Sequence, residues 1–146
     1  MLMGEYSHTL DTKGRLIIPS KFREALGDKF VVTKGMDGCL FVYGPNEWTV
    51  FEEKLRTYSI SKKDSRNYVR HFLAGAAEVE VDKQGRILLP NKLREYAQLI
   101  KDVALIGVGD RIEIWNQERW SQLEAEMDAA MDDIAEEMSD DLGIIL

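Results

Sequence analysis

The chain has 146 residues, 45% of them apolar, a formal net charge of −7 and a single cysteine. That size and apolar content suit one domain with a full core, and one cysteine excludes a disulfide framework. No apolar run approaches the roughly 20 residues of a membrane span, and residues 1–5 lack a basic region before an apolar stretch, so the cytoplasm is the expected compartment.

Residues 5–10 read as a strand. Asp11-Thr12-Lys13-Gly14 follows, with Asp first and Gly fourth as a type I turn prefers. Arg15 comes next, then Leu16, Ile17 and Ile18 as a buried strand, which Pro19 ends because it cannot continue a central ladder. Ser20 is expected to cap a short helix over residues 21–26 that Gly27 stops. Strands at 30–33 and 40–42 flank a turn at 35–38, and Cys39 reads as a small buried hydrophobe. Asn46 is expected to cap a helix with Trp48, Phe51, Leu55 and Tyr58 on one stripe. Ser61-x-x-Asp64 is expected to open a second helix, carrying Tyr68, Phe72 and Leu73, as a capping box.

At residue 77 the pattern begins again. Residues 77–81 alternate as a half-buried strand, Asp82-Lys83-Gln84-Gly85 repeats the turn, and Arg86 precedes Ile87, Leu88, Leu89 and Pro90. Asn91 is expected to cap a helix over 92–97, and strands at 103–106 and 112–115 flank a turn at 107–110. Seven of the fourteen positions of 11–24 and 82–95 are identical: Asp11/Asp82, Gly14/Gly85, Arg15/Arg86, Pro19/Pro90, Lys21/Lys92, Arg23/Arg94 and Glu24/Glu95. With one residue inserted, the register continues through Gly35/Gly107, Leu40/Ile112, Tyr43/Trp115 and Trp48/Trp120. The chain is an internal repeat. Asn116 then caps a long helix whose stripe of Trp120, Leu123, Met127, Met131, Ile134 and Met138 reads as a seam against the body or another helix, with an acidic opposite face.

The expected fold is α+β with a mainly β core, two strand-dense units interlocked about a pseudo-twofold axis into one small barrel with peripheral helices. Residues 1–60 form the first repeat with its following helix, 61–75 a connecting helix, 76–120 the second repeat, and 121–146 the acidic helix and tail.

Charge is distributed unevenly. Residues 1–60 hold 8 Lys/Arg and 8 Asp/Glu, 61–111 hold 10 and 7, and 112–146 hold 1 and 11. The acid lies in the tail, so the net charge does not exclude a nucleic-acid partner for the repeats. Neither a phosphate-binding Gly-Lys-Ser/Thr loop nor a Gly-x-Gly-x-x-Gly motif is present. His8 and His71 are at non-equivalent places without metal-ligand spacing, so no metal or cofactor is expected. Nothing singles out a catalytic carboxylate pair, and enzyme function has no positive support.

The repeated loops are the remaining candidate: Lys13 and Arg15, Lys83 and Arg86, backed by Lys21, Arg23, Lys92 and Arg94, with Asp11, Gly14, Asp82 and Gly85 shaping and orienting them. One reading is architectural, Asp to Arg being a surface ion pair of about 0 to 1 kcal/mol at the hairpin base. The other is anion or nucleic-acid recognition, since an Arg on a rigid hairpin suits bidentate contact with phosphate or with guanine O6 and N7.

The opening residues 3–23, the two Asp-x-x-Gly-Arg loops and the Gly75-Ala76-Ala77-Glu78 lead-in resemble the MraZ family of bacterial transcriptional regulators over nearly the whole chain. The resemblance implies a double-split β-barrel of two swapped-hairpin, AbrB-like units and ring-shaped, octamer-like homo-oligomers. It also implies binding to double-stranded promoter repeats of the division and cell-wall gene cluster, the regulator's own promoter included, generally as a repressor. It places Asp11, Arg15, Asp82 and Arg86 on the DNA-binding face, with Lys13 and Lys83 between them, and a nucleoid-associated location follows. A scaffold ring whose basic loops bind acidic partners, and an enzyme with a carboxylate site between the halves, are the alternatives.

Overall fold

The structure, a computed structural model, describes residues 1–142; residues 143–146 of the expected tail lie outside it. The first copy runs β1 (Leu2–Thr9), β2 (Arg15–Ile17), α1 (Ser20–Leu26), β3 (Lys29–Lys34) and β4 (Leu40–Tyr43), followed by α2 (Pro45–Leu55) and α3 (Lys63–Ala74). The second repeats it as β5 (Ala77–Glu80), β6 (Arg86–Leu88), α4 (Asn91–Tyr96), β7 (Asp102–Gly109) and β8 (Ile112–Asn116), then α5 (Gln117–Leu142).

The strands exchange partners between copies. Six of them form an antiparallel sheet in the order β1-β7-β8-β4-β3-β5, and β2 pairs with β6 as a separate ribbon. The first strand of each copy therefore lies on the third strand of the other, β1 on β7 and β5 on β3. Both pairings between equivalent strands are centred on equivalent residues: Leu16 faces Ile87, and Phe41 faces Glu113. A pseudo-dyad passes through both points, and the ribbon closes the sheet into a barrel by linking its two edge strands.

Two apolar layers result. The barrel interior holds Leu16, Ile18, Phe22, Phe30, Val32, Leu40, Ile87, Leu89, Leu105 and Ile114. On the outer face of the sheet, Phe41, Tyr43 and Trp115 cluster with Leu55 of α2, Phe72 of α3 and Trp120 of α5. β4 is buried along its whole length because both its faces are covered. Cys39 lies in the outer layer, where burial pushes its thiol well above the usual range, as a buried hydrophobe would be.

Several helix starts differ from expectation. Ser20 and Asn91 are the first residues of α1 and α4, and Pro19 and Pro90 hold the cap positions without a side-chain cap. Their extended backbone turns the proline carbonyl toward the helix, where it accepts from the Arg23 amide at 3.0 Å and the Arg94 amide at 3.1 Å. Asn46 does not cap α2, because Pro45 takes the first helical position with its φ already set and Gly44 becomes the cap. Ser61 bonds Ser59 through its hydroxyl instead of capping α3, which starts at Lys63. Asn116 does cap α5, accepting from the Arg119 amide at 3.1 Å. Gly107 and Gly109 belong to β7 rather than to a turn, since β7 runs on to pair with the full length of β1. Tyr58 and Leu73 are exposed.

Candidate nucleic-acid interface

The β2–β6 ribbon has one face in the barrel and one in solvent. Leu16 and Ile87 point inward at 0% and 1% exposure, whereas Ile17 is 41% and Leu88 60% exposed. The three aliphatics after each Arg are thus not a wholly buried strand: a ribbon that forms a barrel wall buries alternate residues, and the middle residue of each triplet faces out. The register sets Arg15 opposite Leu88 and Ile17 opposite Arg86. The outer face therefore carries two Arg on one diagonal and two aliphatics on the other, with diagonal neighbours about 7 to 8 Å apart.

Each Arg follows a loop that its own residues close. The Asp11 Oδ1 accepts from the Lys13 amide at 2.9 Å and the Arg15 amide at 2.8 Å, while its Oδ2 accepts from Arg15 Nε at 2.7 Å. Asp82 repeats this with the Gln84 and Arg86 amides and Arg86 Nε, each at 2.9 Å. One carboxylate thus shapes the turn and aims the guanidinium. The Arg15 amide, with its guanidinium and the Lys13 amide adding, holds the Asp11 carboxyl below its ordinary 3.8; the Arg86 amide and side chain do the same for Asp82. Both carboxylates are charged at neutral pH.

Gly14 and Gly85 close the turns at φ of +84° and +79°, a region most side chains avoid. Each is covered by an Arg of the other copy. An added Cβ would lie 2.7 Å from Arg94 Cζ at Gly14 and 3.0 Å from Arg23 Cζ at Gly85. Arg94 Nε donates to the Leu89 carbonyl at 3.0 Å, and the Leu89 amide to the Gly14 carbonyl at 2.9 Å; Arg23, Ile18 and Gly85 form the mirror set at 2.9 Å throughout. Arg23 and Arg94 therefore brace the loop of the opposite copy. Lys13 and Lys83 are exposed in the loops, and Lys21 and Lys92 are exposed in the first turns of α1 and α4.

Sequence reasoning missed Ile17 and Leu88 as surface residues. Their signal was the even spacing from Arg15 and Arg86, which puts each pair on one side of its strand.

A family model described as "MraZ protein, putative antitoxin-like" matches this chain twice, over residues 1–71 and 72–142. A protein named transcriptional regulator MraZ from Caldanaerobacter subterraneus subsp. tengcongensis is 58% identical over 94% of this chain and 96% of its own length. Those of the same name from Carboxydothermus hydrogenoformans (58%; 96% of this chain, 98% of the relative) and a Thermoanaerobacter species (57%; 99% and 100%) are similar to the same degree. Among solved structures, the solution structure of PHS018 from Pyrococcus horikoshii aligns at 16% identity and a TM-score of 0.32 over 78% of this chain and 88% of that one.

Proposed function

The chain belongs to the MraZ family, and from that premise we propose that it is a DNA-binding transcriptional regulator that reads duplex DNA through the outer face of the β2–β6 ribbon. The observation that carries this is the diagonal pair Arg15 and Arg86, each aimed by its own Asp on a ribbon of the width that enters a major groove. The two Arg supply phosphate or guanine contacts, and Ile17 and Leu88 offer the apolar surface that meets thymine methyl groups. Lys13, Lys83, Lys21 and Lys92 add phosphate contacts, while Arg23 and Arg94 hold the loops in place. The pseudo-dyad matches an inverted arrangement of contacts within one site.

The family resemblance extends the proposal to repression of the division and cell-wall gene cluster, including the regulator's own promoter, and to nucleoid association. One protomer presents few cations, so a ring-shaped homo-oligomer on repeated DNA sites supplies the remaining affinity as effective concentration.

The test is a salt titration of binding to the DNA upstream of the protein's own gene against a scrambled duplex, for wild type and the Arg15→Ala/Arg86→Ala variant. The expected result is preference for the upstream DNA that the variant loses, with a salt slope lower by about 1 for each Arg that contacts phosphate. Unchanged preference and slope in the variant would overturn the reading.

A further inference from the structure

The reading above includes self-assembly, and the next step rests on that part of it: we propose that the distal half of α5 docks into a basic, apolar groove between α2 and α3 of a second copy of this chain. α5 starts on the body, where Trp120, Leu123 and Met127 pack on the outer layer. The stripe then continues through Met131, Ile134 and Met138, all exposed. Residues 128–142 carry seven Asp or Glu and no Lys or Arg. At 1.5 Å per residue this is about 22 Å of acidic, amphipathic helix with an uncovered apolar edge.

Its complement is on the same chain. The segment joining α2 to α3 bounds a cavity of about 420 Å³, lined by Leu55, Tyr58, Ile60, Arg66, Val69 and Arg70 among others. Tyr58 and Ile60 are exposed there, Ile60 almost completely. Residues 54–70 hold six Lys or Arg against one Asp. Arg66 donates to the Ile60 carbonyl and Arg70 to Asn67, and among the described residues neither is in an ion pair. An apolar trough rimmed by guanidinium groups is what an acidic amphipathic helix needs: the stripe enters the trough and the flanking carboxylates meet the rim. The apolar lining distinguishes this surface from a phosphate-binding one.

The two surfaces do not meet within one chain, since each is exposed and α5 is a single uninterrupted helix anchored at its start. Each copy thus offers one helix and one groove. A contact between unlike surfaces propagates from copy to copy until the rotation closes a ring or extends a fibre. The groove residues are separate from the ribbon, so assembly leaves the Arg15/Arg86 face open to DNA.

The test uses two full-length variants, Arg66→Glu/Arg70→Glu in the groove and Ile134→Asp/Met138→Asp on the helix, examined by sedimentation velocity alone and mixed. All four positions lie outside the two core layers. Wild type is expected to assemble beyond a dimer. Each variant alone is expected to dissociate, its association weakened on the order of a hundredfold by like charges or desolvated carboxylates at the contact. The equimolar mixture is expected to stop at a one-to-one dimer, because it retains one intact helix and one intact groove. Assembly of either variant as in wild type, or a mixture that stays monomeric, overturns the docking while leaving self-assembly in place. A monomeric wild type removes both. A groove variant that assembles normally but loses DNA affinity assigns Arg66 and Arg70 to phosphate instead.

Discussion

The residue before Gly14 in the first hairpin loop is Lys13, and the residue before Gly85 in the second is Gln84. Backbone and carboxylate geometry agree between the loops within a few tenths of an ångström. The guanidinium groups differ. Gln84 Oε1 accepts from Arg86 Nη2, so that side chain is held at Nε and at one outer nitrogen. Lys13 cannot accept, so the Arg15 side chain is held through Nε. The loop shape is thus determined by Asp and Gly alone, while the residue between them decides how firmly each Arg is pre-set. A pre-set Arg loses less conformational freedom on contact; a loosely held one beside a second cation adapts to phosphate more readily.

Both copies are most sensitive to changes inside the barrel. Leu16→Ala and Ile87→Ala are each expected to cost about 2 to 5 kcal/mol in urea unfolding. Because both side chains sit on the pseudo-dyad, the two losses should be similar, each in a single transition; separate melting of one half would show that the copies are not one cooperative unit. Gly14→Ala and Gly85→Ala come next, at about 1 to 2 kcal/mol for a side chain forced into the left-handed region. The Gly14 change should cost more, because Arg94 lies closer to it than Arg23 does to Gly85. Equal urea midpoints would show that the Arg94 guanidinium gives way at no greater cost than that of Arg23. The mildest variants exchange the distinguishing residues. Gln84→Lys should leave stability within about 0.5 kcal/mol and steepen the salt slope of DNA binding by up to about 1. Lys13→Gln should flatten the slope by as much while tying down Arg15.

The loops were legible in the sequence because their physics is local: Asp accepts from amides two and four residues on, and Gly takes the positive φ. The Asn116 cap was legible for the same reason. Ser20, Asn91 and Asn46 misled, because each adjoins a proline that fixes where its helix starts. Ile17 and Leu88 were overlooked because in a three-residue strand their even spacing from Arg15 and Arg86 is a single step, and only closure of the barrel decides which face meets water. The bracing of Gly14 by Arg94 and of Gly85 by Arg23 joins residues of different copies, so nothing local announced it. The exchange of β1 and β5 between copies was equally invisible to periodicity, although the repeat itself pointed to two interlocked halves.

That exchange also sets a schedule for the ribosome. Thr9 pairs with Asp102 and Leu2 with Gly109, so the first strand made waits for a partner about 100 residues downstream. At roughly 5 to 20 residues per second, β1 remains unpaired for roughly 5 to 20 seconds after its own synthesis. The first copy cannot finish folding before the second emerges, because its ribbon strand and its edge strand both lack partners until then. A nascent chain stalled before β7 should therefore be protease-sensitive, and resistance should appear only once that strand has cleared the exit tunnel.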